Sequence, residues 1–600
     1  MEDETLNFNK QQKEAILHKD GVCSVIAGAG AGKTAVLINR VKELIDSGIC
    51  ESEILVVSFT SDIAKELNKK LSDNGLKNVY AGTFHAIARN MLFKNGICIN
   101  PKEIISEWKI EECFKRVNRN VKLKKYQIFE IKSFIDFQKV YLKSYNDKFI
   151  HKECSIDEED LRIYFKTYET FKKENKLYDF TDWLLMCYEI VKKKPCEYKY
   201  VLVDEHQDNN YIRNLLLKEW ARHGNIFYVG DYRQSIYAFN GAIPEMFMDL
   251  DKQWNNVKVI NMDINYRSCK NIVDNANKFI KPYYKDYKYY SDSIANNKNN
   301  GHIETFTYYL KTDEGKEIAN KIEELIKNGE NENDIAVLYR NNSHADYIES
   351  ELKQKGIKYY ISENKGFFDR KETKLIVSYL KLLENPHNDE NFDILFNLRN
   401  HPIMYIKKKD YEEIKHISGK KNTSLYESFI TYKFSDIRDI KSVKEFKNNI
   451  EWLRLQKDKT EVDLSKLIDN IVKTFDINNY IEENFELEEI EGRKNSIIVL
   501  KNFSKGNTLK SFIRFISGGN EYKKDNQGIK LLTIHASKGL EFKHVFVISI
   551  EDGKFPSDKA NILEEVRLFY VAITRSKENL YLSQIGNNNR FVNEYNSIYN

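Results

Sequence analysis

Proline is scarce in this sequence, 7 residues in 600, and glycine is modest at 25. Such a composition excludes a collagen-like fibre or a disordered, low-complexity chain and describes an ordered, mostly regular protein. The 8 cysteines contain no C-x-x-C pair and all fall between Cys23 and Cys269. That spacing speaks against a zinc ribbon, an iron–sulfur centre or a disulfide framework, and for a reducing compartment. No apolar run approaches the length of a membrane-spanning helix. Excess charge of one sign is also missing: the formal net charge is +4, so any basic track for a polyanion must be local. The opening Met1-Glu2-Asp3-Glu4 is acidic, the wrong start for a signal or transit peptide. A cytoplasmic protein without membrane partners is expected, and 600 residues predict several domains.

What is present is organised around Ala27-Gly28-Ala29-Gly30-Ala31-Gly32-Lys33-Thr34. An apolar run precedes it and a helical pattern follows, so it reads as strand, phosphate loop, helix. Gly28, Gly30 and Gly32 let successive N–H groups turn toward one anion, Lys33 adds a point charge, and the Thr34 hydroxyl suits Mg²⁺. The first position of the usual pattern is Ala27 where Gly is common. Upstream, the amide of Gln12 can pair with an adenine edge, or be an exposed helix residue.

Residues 53–59 read as a buried strand followed by a cap at Thr60 and a helix with Ile63, Leu67 and Leu71 in phase. GTFHA (82–86) again ends a strand, where His85 alone would read as structural. Residues 93–176 change to a helical pattern with Phe129, Ile131, Phe134 and Ile135. The basic runs Lys122-Leu123-Lys124-Lys125 and Lys192-Lys193-Lys194 are solvated faces or phosphate contacts. The apolar run 200–203 ends in Asp204-Glu205, where Asp204 can hold the metal bound to Thr34 and Glu205 can activate water. A further strand at 225–229 ends near Gln234, placed to touch a γ-phosphate, and Tyr237 and Phe239, a stacking surface for unpaired bases.

The order AGAGAGKT (27–34), SFTSDIAKEL (58–67), GTFHA (82–86), DFTDWLL (179–185), VDEHQD (203–208), VGDYRQSIYAFNGA (229–242), INYRS (264–268), AVLYRNNS (336–343), GFFDRKE (366–372), LLTIHASKGLEF (531–542) and EEVRLFYVAITRSK (564–577) resembles superfamily 1 DNA helicases of the UvrD, PcrA and Rep type nearly end to end. The resemblance implies an ATP- and Mg²⁺-dependent motor that moves 3′ to 5′ on single-stranded DNA and unwinds duplex DNA. Gln12 and Tyr266 would hold adenine, and Glu541 would meet the ribose. Lys33, Thr34, Asp204, Glu205 and Gln234 would surround phosphates and metal. Arg267 and Arg575 would stabilise the γ-phosphate in the transition state. Phe59, Thr60, Thr83, His85, Tyr237, Phe239 and His535 would line the DNA path.

Departures from the family pattern are Ala35 in place of a common Arg, Phe239-Asn240 in place of Trp-Arg, and Arg233 in place of an acidic residue. The implied α/β architecture has two RecA-like parallel-sheet P-loop cores. The first spans 1–92 and 177–262 with a helical insertion at 93–176. The second spans 263–385 and 528–600, with strands near 302–309, 334–339, 531–535 and 544–550, and a compact helical insertion at 386–527. A Thr-x-Gly turn common in relatives is not obvious near 400–406. The compact insertion and the chain's end soon after Arg575 raise a second reading, a DNA-stimulated ATPase subunit that regulates a separate nuclease. No N-K-x-D base-selecting motif supports a GTPase, and no residues remain for a fused nuclease domain.

Overall fold

A computed structural model describes residues 8–117, 123–361, 366–397, 406–459, 463–485, 487–517, 527–558 and 560–597. Lys122 and most of the stretch at 400–406 lie outside the described residues. The chain forms two compact units, one of Met1–Leu123, Gln127–Thr307 and Ser537–Asn600, the other of Lys124–Tyr126 and Tyr308–Ala536. Both carry parallel strands, as expected for an α/β protein with two RecA-like cores.

In the first unit, short runs rich in β-branched residues form β1 (Val22–Ala27), β2 (Ile54–Ser58), β3 (Tyr80–Thr83), β4 (Tyr200–Val203), β5 (Ile226–Gly230) and β6 (Lys258–Met262). They pair in parallel in the order β3-β2-β4-β5-β1-β6. Every residue of β1, β2 and β5 is buried, as strands covered on both faces require. Burying each Val, Ile or Leu contributes about 1.5–3 kcal/mol. α1 (Lys10–Ile16) precedes β1, and helices return the chain between strands: α2 (Lys33–Asp46), α3 (Ser61–Asp73) and α4 (Phe84–Lys94). Val36, Leu37, Val41 and Leu44 of α2 share a core with β1, β2 and β5, which fixes the phosphate loop at the carboxyl end of the sheet.

α5 (Glu107–Lys115), α6 (Lys125–Val140) and α7 (Glu158–Glu174) lie within the expected insertion. Ile131, Phe134 and Ile135 are in its core, but Phe129 is 55% exposed. The reason is angular: Phe129 precedes Ile131 by two residues, about 200° around a helix, so only the i, i+3, i+4 set shares a face. Then α8 (Phe180–Lys193) starts in a capping box of Asp179 and Asp182. Glu169, Asp179 and Asp182 converge closely enough to resemble a cation site. The cations there are lysines: Lys139 lies 2.6 Å from Asp179 and 2.5 Å from Asp182, and Lys172 2.8 and 2.7 Å from the same pair. Burial would raise the Asp179 carboxyl, but Lys139 and Lys172 outweigh it and hold it low. Following β4, α9 (Tyr211–Trp220) is capped by Asn210.

Beyond the first sheet come β7 (Ile264–Asn265), β8 (Ile294–Ala295) and β9 (His302–Tyr308), then β10 (Ile335–Tyr339), β11 (Tyr359–Ile361), β12 (Ile529–Thr533), β13 (Phe542–Glu551) and β14 (Ser576–Ile585). β12 pairs in parallel with β10 and β11 in the second unit, and β13 with β14 in the first. Between 386 and 527 the described elements are helices. Leu464, Leu467, Ile468, Ile471, Val472 and Phe475, all in phase, are buried in one core. Among the described residues no helix is long and apolar enough to cross a membrane, and all eight cysteines are unpaired.

Candidate nucleotide and nucleic-acid site

The phosphate loop leaves β1 at Ala27 and enters α2 at Lys33. Gly30 and Gly32 have φ of +69° and +81°, a left-handed conformation that a side chain disfavours. A Cβ on Gly30 would also stand 2.7 Å from the Arg267 Cβ. Lys33 Nζ lies 3.7 Å from a Glu205 carboxylate oxygen and donates at 3.5 Å to Ala27 O. Thr34 occupies the first turn of α2.

Asp204 and Glu205 follow β4 directly. Glu205 has φ +49° and ψ +45°, a backbone state costing about 1–2 kcal/mol for a residue with a side chain; such strain concentrates at functional sites. Gln207 fixes its carboxylate by donating from Nε2, while Gln207 Oε1 accepts the Asp231 N–H at 3.0 Å. Burial and the neighbouring Glu205 charge raise the Asp204 carboxyl. Burial would raise Glu205 too, but Lys33 and Lys538 pull it below the usual carboxylate range. One group of the pair, Glu205, therefore stays ionised. The other, a buried carboxylate held above its ordinary value, is the kind of oxygen donor that a divalent cation stabilises.

Gln234 follows β5, and both amide atoms are held. Nε2 donates to Asp231 at 2.8 Å, and Oε1 accepts from Arg575 Nη2 at 3.0 Å. Arg575, 1% exposed, also donates to Val571 O, Leu540 O and Thr574 Oγ1. Burial, with the like charge of Arg267 nearby, pushes its guanidinium down to about 9. Arg267 donates to Glu541 at 2.6 Å and to Thr574 O at 3.2 Å. The Tyr266 N–H donates to Gly30 O at 3.0 Å, so the arginine pair and the phosphate loop form one constellation.

Gln12 is buried rather than an exposed helix residue. Its Oε1 accepts from Asn9 N and its Nε2 donates to Ala31 O, the residue before Gly32. Tyr266 is 44% exposed and its hydroxyl accepts from Asn9 Nδ2 at 2.9 Å. The two residues assigned to the adenine thus meet through Asn9 beside the loop. Glu541 also pairs with Lys577 at 2.9 Å, and the two cations hold its carboxyl down against burial.

The nucleic-acid candidates gather at the carboxyl ends of β3, β2 and β5. Thr60 and Thr83 cap α3 and α4 by accepting from Ile63 N and Ala86 N. Phe59 stacks on Tyr237 with centroids 5.0 Å apart, and Tyr237 meets Phe239 edge-on at 5.8 Å. Phe239 is 65% exposed, a ring offered to solvent rather than core. His85 faces Phe180 edge-on at 5.9 Å; burial, with the charge of Arg213, pushes its imidazole down to about 4, so it is neutral at pH 7. His535 follows β12 and belongs to the second unit.

Two family models match this chain in tandem. Residues 8–255 match the UvrD/REP helicase N-terminal domain, and residues 260–587, more than half the chain, match the UvrD-like helicase C-terminal domain. The chain belongs to the UvrD/REP helicase family. It is 30% identical to the ATP-dependent DNA helicase Rep of Buchnera aphidicola subsp. Acyrthosiphon pisum, over 96% of this chain and 95% of that protein. Identity to the Rep of Buchnera aphidicola subsp. Schizaphis graminum is 29%, over 96% and 93%. Identity to the ATP-dependent DNA helicase PcrA of Bacillus subtilis is 28%, over 96% and 82%.

Within this helicase site the structure adds residues that sequence reasoning passed over. Lys538 ion-pairs with buried Asp208, donates to Gln234 O at 2.8 Å and lies 5.0 Å over the Tyr237 ring, touching the phosphate side and the stacking side at once. Arg567 donates to Ser235 O and to the Tyr284 hydroxyl. Arg233, the departure from an acidic residue, is buried and donates to Asp231 at 2.8 Å, the carboxylate that also holds Gln234. For Lys538 and Arg567 the signal available was position inside a recognised motif. For Gln207 it was a place two residues after Glu205 in the same motif.

Proposed function

We propose that this chain is an ATP-dependent DNA helicase that translocates 3′ to 5′ on single-stranded DNA and separates duplexes. The observation that carries the reading is one connected constellation: Lys33 against Glu205, Glu205 held by Gln207, and Gln234 joined to Arg575. Lys33 and the loop N–H groups would take the nucleotide phosphates. Glu205, kept ionised, would accept the proton of the attacking water, while Arg575 and Arg267 stabilise charge developing on the γ-phosphate. Thr34 and Asp204 offer a hydroxyl and a buried carboxylate that suit Mg²⁺, which when bound would neutralise phosphate charge. Gln12 and Tyr266 would hold the base, and Glu541 the ribose.

Phe59, Tyr237, Phe239, Thr60, Thr83, His85 and, from the second unit, His535 would contact the strand. Lys538 supports coupling of the two halves, because one ammonium touches both Asp208 and Tyr237. Four domains within the boundaries given above, a cytoplasmic location and a nuclease or other protein partner are proposed on the same footing; copurification from the native host tests the last.

The deciding test is steady-state ATP hydrolysis with and without a single-stranded oligonucleotide, on the wild type and on Glu205→Gln. Strong stimulation, abolished by the substitution, is expected. Equal rates with and without oligonucleotide would sink the motor reading. Strand displacement on 3′-tailed against 5′-tailed duplexes decides the polarity.

A further inference from the structure

Arg213 sits in the first turn of α9, its N–H donating to the cap Asn210. Its guanidinium lies over two rings, 4.9 Å from the Phe59 centroid and 5.5 Å from that of Phe84. Nε and Nη1 are buried and have no hydrogen-bond partner. The residue as a whole is half-buried, and a cation so placed ordinarily finds a carboxylate, because leaving one unpaired is costly. The nearby acid, Asp208, is engaged by Lys538, and among the described residues Arg213 makes no ion pair. Burial pushes the guanidinium down to about 10, with only the Asp208 charge opposing. Ring faces offset part of the cost through the cation–π attraction and hold the guanidinium plane in place.

The surroundings are suited to an anion. The amino ends of α3, α4 and α9, capped by Thr60, Thr83 and Asn210, follow β2, β3 and β4, which are adjacent in the sheet. Each end carries partial positive charge. His85, in the same row, is neutral at pH 7 and supplies no full charge. Phe59, against which Arg213 lies, is also stacked by Tyr237.

We infer that Arg213 is a phosphate anchor of the strand groove: a guanidinium stacked between Phe59 and Phe84 that takes one backbone phosphate of single-stranded nucleic acid. The inference rests on the helicase reading above and adds to it a residue that no sequence motif marked. It also assigns a cause to the missing partner. The ligand is the acceptor for the part of the guanidinium that reaches solvent, while Nε and Nη1 stay against the rings.

The test uses the full chain and a fluorescent oligo-dT, with anisotropy read across a salt series without nucleotide, beside thermal melting and basal ATP hydrolysis without DNA. Arg213→Met keeps an apolar side chain between the rings. It is expected to raise the melting temperature of the DNA-free protein, leave basal hydrolysis within about twofold, weaken oligonucleotide binding about tenfold, and reduce the slope of log K against log salt by roughly 0.7, the value of one single-strand phosphate contact. Arg213→Lys should keep the slope and lose only part of the affinity. Should the Met variant fail to fold, Arg213→Gln replaces it with the same expectations for affinity and slope. Wild-type affinity and slope in the charge-removing variant would overturn the inference while leaving the helicase reading intact. So would an equal loss of affinity in the Met and Lys variants with an unchanged slope, which assigns Arg213 to propping Phe59. A wild type that binds no oligonucleotide would bring down both.

Discussion

Two arginines in the first unit, Arg575 buried and Arg213 half-buried, are treated in opposite ways. Arg575 gives its donors to Val571 O, Leu540 O, Thr574 Oγ1 and Gln234 Oε1, whereas Arg213 keeps two donors without acceptors between Phe59 and Phe84. Burial lowers both, to about 9 and about 10. A similar lowering with unequal satisfaction separates two ways of holding a cation for a ligand. Arg575 is preorganised by its protein acceptors, so its geometry exists before nucleotide arrives. Arg213 is positioned by ring faces alone, which fix a plane but leave its hydrogen bonds open. A site for transition-state charge needs the first arrangement, because reorganisation during reaction adds to the barrier. A site that must grip and release a moving strand is served by the second.

Deleting each cation is the sharpest way to break this contrast. Arg575→Ala should lower oligonucleotide-stimulated kcat roughly a thousandfold, and Arg575→Lys should recover little of it, since a single ammonium cannot reproduce the planar fork. Single-turnover hydrolysis measures both, and a loss under tenfold would place Arg575 outside the reaction. Lys538→Met leaves Asp208 buried and unpaired, a cost of roughly 3–5 kcal/mol; chemical denaturation should show it. A stability equal to wild type would mean that the pair contributes nothing net.

The smallest effect is on pH. His85 and His206 are held low by burial, at about 4 and about 3, so the unfolded chain takes up their protons first as pH falls. Stability should be fully present above about pH 6.5 and decline toward pH 4, at roughly 1.4 kcal/mol per pH unit for each histidine. His85→Gln should remove one proton's share of that slope in melts between pH 7 and pH 4.5. An unchanged slope would mean that His85 titrates normally.

The nucleotide half of the site was readable because its chemistry is local. The loop, Lys33 and Thr34 are contiguous, and β1, β2, β4 and β5 are short apolar runs whose burial forces a covered sheet. What stayed hidden depended on contacts far apart in sequence. Lys538 and Asp208 are separated by 330 positions, and no periodicity reports such a pair. The left-handed backbone of Glu205 is likewise absent from residue type. β14 escaped because it opens with polar Ser576-Lys577-Glu578-Asn579, the first two of which end a motif. Phe129 was grouped with Ile131, Phe134 and Ile135 in one helical pattern, although its angle sets it off their face. Arg213 gave no signal at all: a single arginine on an amphipathic helix reads as solvated, and only the two rings against it say otherwise.

The first unit closes with Ser537–Asn600, and this has a consequence for biosynthesis. Gln234 and Arg575 meet across 341 positions, so a ribosome delivers the guanidinium of this pair long after its amide partner. A nascent chain that has made β1 to β6 but not yet Arg575 therefore holds Gln234 without this partner, and on the proposed reading of Arg575 it would bind nucleotide before it could turn it over quickly.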